Sequence, residues 1–198
     1  MFPESNPYFS VPHAFDVYLS LWPKDTPLPT ESQLLAMQST GLKLMSEVKA
    51  LEAGCLLQLR QLGDEGRAIV DYLKLQSRKI DLVLQHVLEQ ESREGQHCPG
   101  VQFGGSGVRV QLPQALDAGT FCKLTLFIRD EILSLQCIAS VRECRADPDH
   151  EGQFLADLDY RVIQDADIEL LVKASLSVQQ KQLKRRKASQ DPNWHEPS

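Results

Sequence analysis

Apolar residues recur along this chain at two different periods. Phe15, Val17, Leu19 and Leu21 alternate with Asp16, Tyr18, Ser20 and Trp22, and a period of two predicts a half-buried strand. Pro23, Pro27 and Pro29 stop it. Thr30, followed three residues later by Gln33, predicts a helix start, because each side chain can satisfy a first-turn backbone N–H. From 31 to 94 the chain holds no proline and is rich in Leu, Gln, Glu, Lys and Arg. Written as heptads, Leu59, Gly66, Leu73, Ile80 and Val87 occupy a, and Leu62, Ile69, Gln76, Val83 and Gln90 occupy d. Steps of three and four predict a helical stripe that meets another helix.

Two positions interrupt the stripe. Gly63 and Gly66 bracket Asp64-Glu65, and each glycine weakens a helix by about 1 kcal/mol. They mark either a turn, with Gly63 closing one helix and Asp64 capping the next, or a flaw in one long helix. Gln76 at a central d site costs stability but can fix the register and number of associating helices. The stripe Leu59, Leu62, Ile69, Leu73, Gln76, Ile80, Val83 and Val87 is therefore the expected interface of a homo-oligomer. Packing against the chain's own domain is the other reading.

From Gly100 the period returns to two. Val108, Val110 and Leu112 make one apolar face, and Cys122, Leu124, Leu126 and Ile128 the next. Leu133, Leu135, Cys137, Ala139 and Val141 follow, then Phe154, Ala156, Leu158 and Tyr160. Asp130-Glu131 and Asp147-Pro148-Asp149 supply turns. Short strands at regular spacing predict a small antiparallel barrel, with Asp157 and Asp159 on a solvated outer face. A last helix is expected with Asp165 as N-cap, Asp167 and Glu169 at its positive end, and Ile168, Leu171, Val172, Leu176 and Leu183 as its apolar face. It would cover one mouth of the barrel. The expected fold class is thus α+β. Its segments are 1–30 with the first strand, 31–94 as a helical insertion for assembly, 95–187 as barrel and closing helix, and 188–198 as a disordered tail.

Composition adds what the pattern does not. The 198 residues are 42% hydrophobic and 24% charged, enough for one well-buried domain with an addition. The 27 acidic and 21 basic side chains leave a net charge of -6, which disfavours a broad nucleic-acid surface. Lys181, Lys184, Arg185, Arg186 and Lys187 gather five positive charges near the C-terminus, and -6 less these five leaves -11 on the remainder. The cluster reads as the solvated end of a helix or, at Lys184, Arg185 and Arg186, as a docking patch for an acidic protein partner. No apolar run approaches the ~18–20 residues that span a bilayer, and no basic-then-apolar leader is seen, so a cytoplasmic protein is expected.

Catalytic patterns are missing. Cys55, Cys98, Cys122, Cys137 and Cys144 are widely spaced, read as reduced structural thiols. His97-Cys98 has no second pair nearby to complete a zinc site. Gly104-Gly105-Ser106-Gly107 lacks the Lys and helix of a phosphate cradle and reads as a turn or bulge. Neither an enzyme, a cofactor nor a metal is expected.

One early strand, a barrel of short strands and a closing helix are together similar to the PilZ family of bacterial second-messenger domains. Val101–Val110 resembles that family's Asp/Asn-x-Ser-x-x-Gly signature and the strand after it. Asp165–Arg186 resembles its terminal helix. The resemblance implies a six-stranded barrel. Gln102 stands where Asp or Asn is expected and Gly104 where Ser is, while Gly107 matches. The Arg-x-x-x-Arg element with which members clamp cyclic di-GMP occurs nowhere in the chain, and Lys or neutral residues replace such guanidiniums poorly. Binding of that ligand at the usual place is therefore not expected. The alternative is a receptor for cyclic di-GMP or another nucleotide that uses Arg78, Arg93 and Arg109 instead. The long helix after the first strand, with Phe15–Trp22 and Lys79–Leu84, resembles an atypical branch from xanthomonads that assembles as a tetramer through a central coiled coil. What this implies is a regulatory scaffold, tetrameric by resemblance, acting on an unidentified protein partner.

Overall fold

The computed structural model describes residues 10–59, 66–91 and 93–190, with the backbone alone at 50, 52–59, 89 and 188–190. Eleven elements follow in chain order. They are β1 (Ser10–Leu21), α1 (Glu31–Met37), α2 (Thr40–Leu59), α3 (Arg67–Gln90), β2 (Gln96–Gly104), β3 (Gly107–Leu112), β4 (Phe121–Ile128), a single 3-10 turn (Arg129–Glu131), β5 (Leu133–Ala146), β6 (Phe154–Val162) and α4 (Asp165–Gln190). The strands close in the order β1-β2-β3-β6-β5-β4, every neighbouring pair antiparallel. The expected α+β fold with a six-stranded antiparallel barrel is present.

Period-two alternation fills the barrel. Val17, Leu19, Val110, Leu124, Leu126, Leu135, Cys137, Ala156 and Leu158 point inward and are buried. Two close approaches set the barrel's shape. A Cβ at Gly100 would stand 2.4 Å from the Phe15 ring, so the bare backbone of β2 is what lets that ring lie across it. A Cβ at Gly107 would meet the Leu158 carbonyl at 2.3 Å. β1 begins at Ser10, five residues before the alternation shows, because Pro12 and a register shift between Pro12 and Phe15 interrupt the pattern. β2 begins at Gln96 rather than Gly100. It carries Pro99 and Gly100, which depress strand propensity.

Among the described residues the helical segment forms three helices. Thr30 caps α1 as expected, its hydroxyl accepting from Gln33 N while the Gln33 side chain accepts from Thr30 N. Ser39 begins α2, its Oγ accepting from Leu42 N at 3.2 Å. α2 and α3 run antiparallel, since Gly41 N near one end of the pair donates to Glu91 Oε1 (2.8 Å) and Lys49 Nζ donates to Asp81 Oδ2 (2.7 Å) further along. The heptad positions are therefore divided. Leu59 ends α2, while Ile69 to Val87 lie on α3. Gly66 is the N-cap of α3. Gly63, Asp64 and Leu62 lie outside the described residues. Leu42, Met45, Leu88 and Phe127 join the helix pair to the outer face of the barrel, which is why β5 is buried on both faces from Leu133 to Val141.

α4 closes the barrel with small residues. Leu171, Ala174 and Val178 enter the core and Ser175 is fully buried, where each full aliphatic side chain contributes about 1.5–3 kcal/mol. Leu176 and Leu183, expected on that face, are 45% and 48% exposed. Ala174 and Ser175 take buried positions on α4 instead. Gln164, not Asp165, is the N-cap, because its carbonyl accepts from Ile168 N at 3.1 Å. α4 runs to Gln190, and 191–198 lie outside the described residues.

Candidate functional site

α3 divides its residues between the protein and the solvent. Asp81 and Leu88 are buried, and Leu84 packs beside them against the barrel. The expected stripe turns away: Ile69 and Val83 are the most exposed of its described members, and Leu73, Ile80 and Val87 are each at least 42% exposed. Gln76 is half-buried. From Ile69 to Val87 this apolar line is roughly 27 Å long at 1.5 Å per residue. The side chain of Leu59 and all of Leu62 lie outside the described residues. An exposed apolar line of this length, interrupted by Gln76, is uncommon on a monomer's surface.

The signature region lies on the opposite kind of surface, a polar one. Gln102 on β2 donates from Nε2 to Ser10 Oγ (2.5 Å) and accepts at Oε1 from Arg109 Nη1 (3.4 Å). Gly104 ends β2 opposite Ser10, and Gly107 starts β3 opposite Asp159. Arg109 grips Asp157 with both arms of its fork, Nε to Oδ1 at 2.6 Å and Nη2 to Oδ2 at 3.1 Å. Arg145 and Arg142 approach the same carboxylate at 3.5 and 3.8 Å, and Arg142 pairs with Asp159 at 3.2 Å.

Sequence reasoning placed Asp157 in solvent. It is instead 7% exposed, because β3 and β5 flank β6 and their arginines close over it. Burial pushes its carboxyl up, but the hydrogen bonds and charge of Arg109, with Arg145 and Arg142, hold it below the usual carboxylate range. The Arg109 guanidinium is raised chiefly by its hydrogen bonds to Asp157. The space left between these groups is about 40 Å3. Such a constellation holds itself together.

Arg78, Arg93 and Arg109 are not brought together. Arg109 is held by Asp157. Arg78 is exposed on α3. Arg93 lies over the Tyr18 and Phe127 rings, beside a separate cavity. Lys184, Arg185 and Arg186 are exposed near the end of α4, while Lys181 turns back to Glu131 at 2.7 Å. The oxygens of Asp147 accept from Asp149 N, Gln111 Nε2 and His150 Nδ1, so this acidic turn is locked internally.

His97 and Cys98 point to different surroundings. His97 is exposed and meets Asp16 at 2.8 Å, whereas Cys98 is buried and burial raises its thiol pKa to about 11. Cys98, Cys122, Cys137 and Cys144 are free thiols. Among the described residues no three His, Cys, Asp or Glu side chains gather as a metal site, and no helix is long and apolar enough to cross a membrane.

No family model matches the chain, and no curated protein does. Solved structures do. A tetrameric PilZ-domain protein of Xanthomonas campestris, self-assembled via an unusual helical bundle, is 15% identical, with 90% of this chain and 91% of that one covered and a TM-score of 0.54. An inhibitor of motility from Bacillus subtilis is 11% identical over 90% of this chain, with a TM-score of 0.48. This chain spans 53% of that protein's length. At these identities the likeness is one of fold, and the fold is a PilZ-like six-stranded barrel, with helices set between its first two strands and a helix closing its mouth.

Proposed function

We propose that this protein is a non-enzymatic cytoplasmic regulatory module that self-associates through α3 and acts by contact with another protein. The observation that carries the reading is the line Ile69, Leu73, Ile80, Val83 and Val87, exposed at helical spacing. Residues 31–94 then serve assembly, and 95–187 together with β1 form the barrel and most of its closing helix. Half-buried Gln76 sets the register, as one polar group on an apolar seam penalises misaligned pairings. The tetrameric Xanthomonas protein, built through a helical bundle, supports four as the number. Lys184, Arg185 and Arg186 offer an acidic partner a basic surface on an otherwise acidic molecule.

The barrel acts without cyclic di-GMP at the signature. What supports this is the Arg109–Asp157 pair, in which the cation suited to a ligand phosphate already holds a carboxylate. Light scattering on the eluting protein at micromolar concentration tests the assembly. An oligomer is expected for the natural chain and a 22.3 kDa monomer for Ile80→Lys/Val83→Lys. A monomeric natural chain overturns the proposal. Calorimetry with cyclic di-GMP tests the second part, and saturable binding there would favour the receptor reading.

A further inference from the structure

The helices do not fit the barrel's outer face completely. Between them lies a cavity of about 190 Å3, room for about six water molecules. Its walls come from both parts of the molecule: Tyr18, Phe127 and Gln136 from the strands, Leu42, Leu88 and Glu91 from the helices, and Arg93 from the segment that joins them. Two wall groups lack the partners their chemistry requires. Arg93 is fixed by its surroundings, its guanidinium 4.9 Å from the Tyr18 ring centre and 4.7 Å from that of Phe127, with Nη1 donating to Tyr18 Oη at 2.7 Å. No carboxylate among the described residues pairs with it. Gln136 Oε1 is buried and accepts no hydrogen bond, an arrangement that is costly unless something occupies the space beside it.

These groups specify a ligand's chemistry. Arg93 calls for an oxyanion, and Gln136 Oε1 calls for an N–H or O–H donor. Glu91, whose Oε1 accepts from Gly41 N at 2.8 Å, places a negative charge on the helical side, and Glu94 lines the same cavity. Glu94 is already paired with Lys123, which leaves Glu91 as the carboxylate opposite the Arg93 guanidinium. One charge of each sign suits a molecule with both charges better than a dianion such as phosphate. Leu42, Leu88 and Phe127 supply an apolar wall.

We propose that this cavity binds a free amino acid with an apolar side chain. Its carboxylate lies on Arg93, its ammonium faces Gln136 Oε1 and Glu91, and its side chain lies among Leu42, Leu88 and Phe127. Because the ligand touches barrel and helices at once, occupancy stiffens the seat of the α2–α3 pair. This site does not depend on whether α3 self-associates.

Calorimetry of the full chain with L-leucine and L-methionine tests the proposal, with 4-methylpentanoate and leucinamide as analogues that lack one charge. For ligands of about nine non-hydrogen atoms, saturable binding with a dissociation constant on the order of 0.1–1 mM is expected for at least one amino acid. Both analogues of leucine should bind at least about tenfold more weakly, because each leaves a polar wall group unpartnered. Arg93→Met should abolish binding. Gln136→Leu should weaken it while raising the melting temperature of the free protein, because it removes the orphaned oxygen; this variant serves even where Arg93→Met fails to fold. Absence of saturable binding for both amino acids overturns the proposal, as does equal binding of 4-methylpentanoate or undiminished binding by Gln136→Leu.

Discussion

Asp167 should make this protein less stable as the solution becomes less acidic. It sits in the first turn of α4, is 6% exposed, and has an Oδ2 that is buried without a hydrogen-bond partner. Burial raises its carboxyl from 3.8 to about 6. Below about pH 4 the group is protonated in folded and unfolded chains alike, and its full contribution to stability is present. Between about pH 4 and 6 the unfolded chain releases a proton that the folded chain retains, so stability falls as pH rises. Above 6 the fold must bury the charge. A rise of about two units at ~1.4 kcal/mol each sets a ceiling of ~3 kcal/mol, and helix-end stabilisation of the anion lowers the working figure to ~1–3 kcal/mol. For a chain of this size that corresponds to roughly 3–10 °C in melting temperature.

Asp167→Asn keeps the shape and removes the charge. Its melting temperature relative to the natural protein should rise by that amount between pH 4 and pH 8. Differential scanning fluorimetry at pH 4, 6 and 8, at constant salt, reads it directly. A packing difference moves all three values equally, so the widening of the gap is the signal. A gap that stays constant or narrows toward pH 8 would refute the reasoning.

Asp157 has the opposite sign. Its depressed carboxyl contributes stability above about pH 4 that disappears as pH falls through its folded value. Asp157→Ala leaves Arg109 partly buried without its counter-ion and should cost about 2–4 kcal/mol at pH 7, a deficit that shrinks near pH 3 in urea titrations. Gly107→Ala forces β3 and β6 apart at the Leu158 carbonyl. It should cost about 1–3 kcal/mol, seen as a lower urea midpoint with an unchanged slope.

Legibility followed how local each determinant was. Val17, Leu19, Leu124 and Leu126 announce their strands because inward and outward faces alternate within a single segment. Thr30 and Gln33 announce a helix start because both halves of the cap lie three residues apart. Asp157 was misplaced because what covers it, Arg109 and Arg145, comes from two other strands. Only the register, Arg109 opposite Asp157 on one side and Glu143 on the other, brings those charges over it. Gln136 reads as an ordinary outward polar residue on β5. Its burial depends on where α1–α3 land, which a strand's own pattern does not encode. On α4 the largest apolar residues, Leu176 and Leu183, drew the face away from Ala174 and Ser175, since hydrophobic size alone does not say which face of a helix is covered. The α3 stripe was legible for a simpler reason: its pattern is local to one helix, and its described members stay exposed.

Closure of the barrel has a consequence for how partners are received. β1 pairs with both β2 and β4, so the sheet has no terminal strand. An incoming chain therefore finds no row of unpaired backbone N–H and C=O groups to extend by strand addition. Recognition must pass through side chains, and edge-to-edge polymerisation of the folded barrel is denied from the outset. On the proposed reading adhesion falls to α3, where charges introduced together at positions 80 and 83 should abolish it.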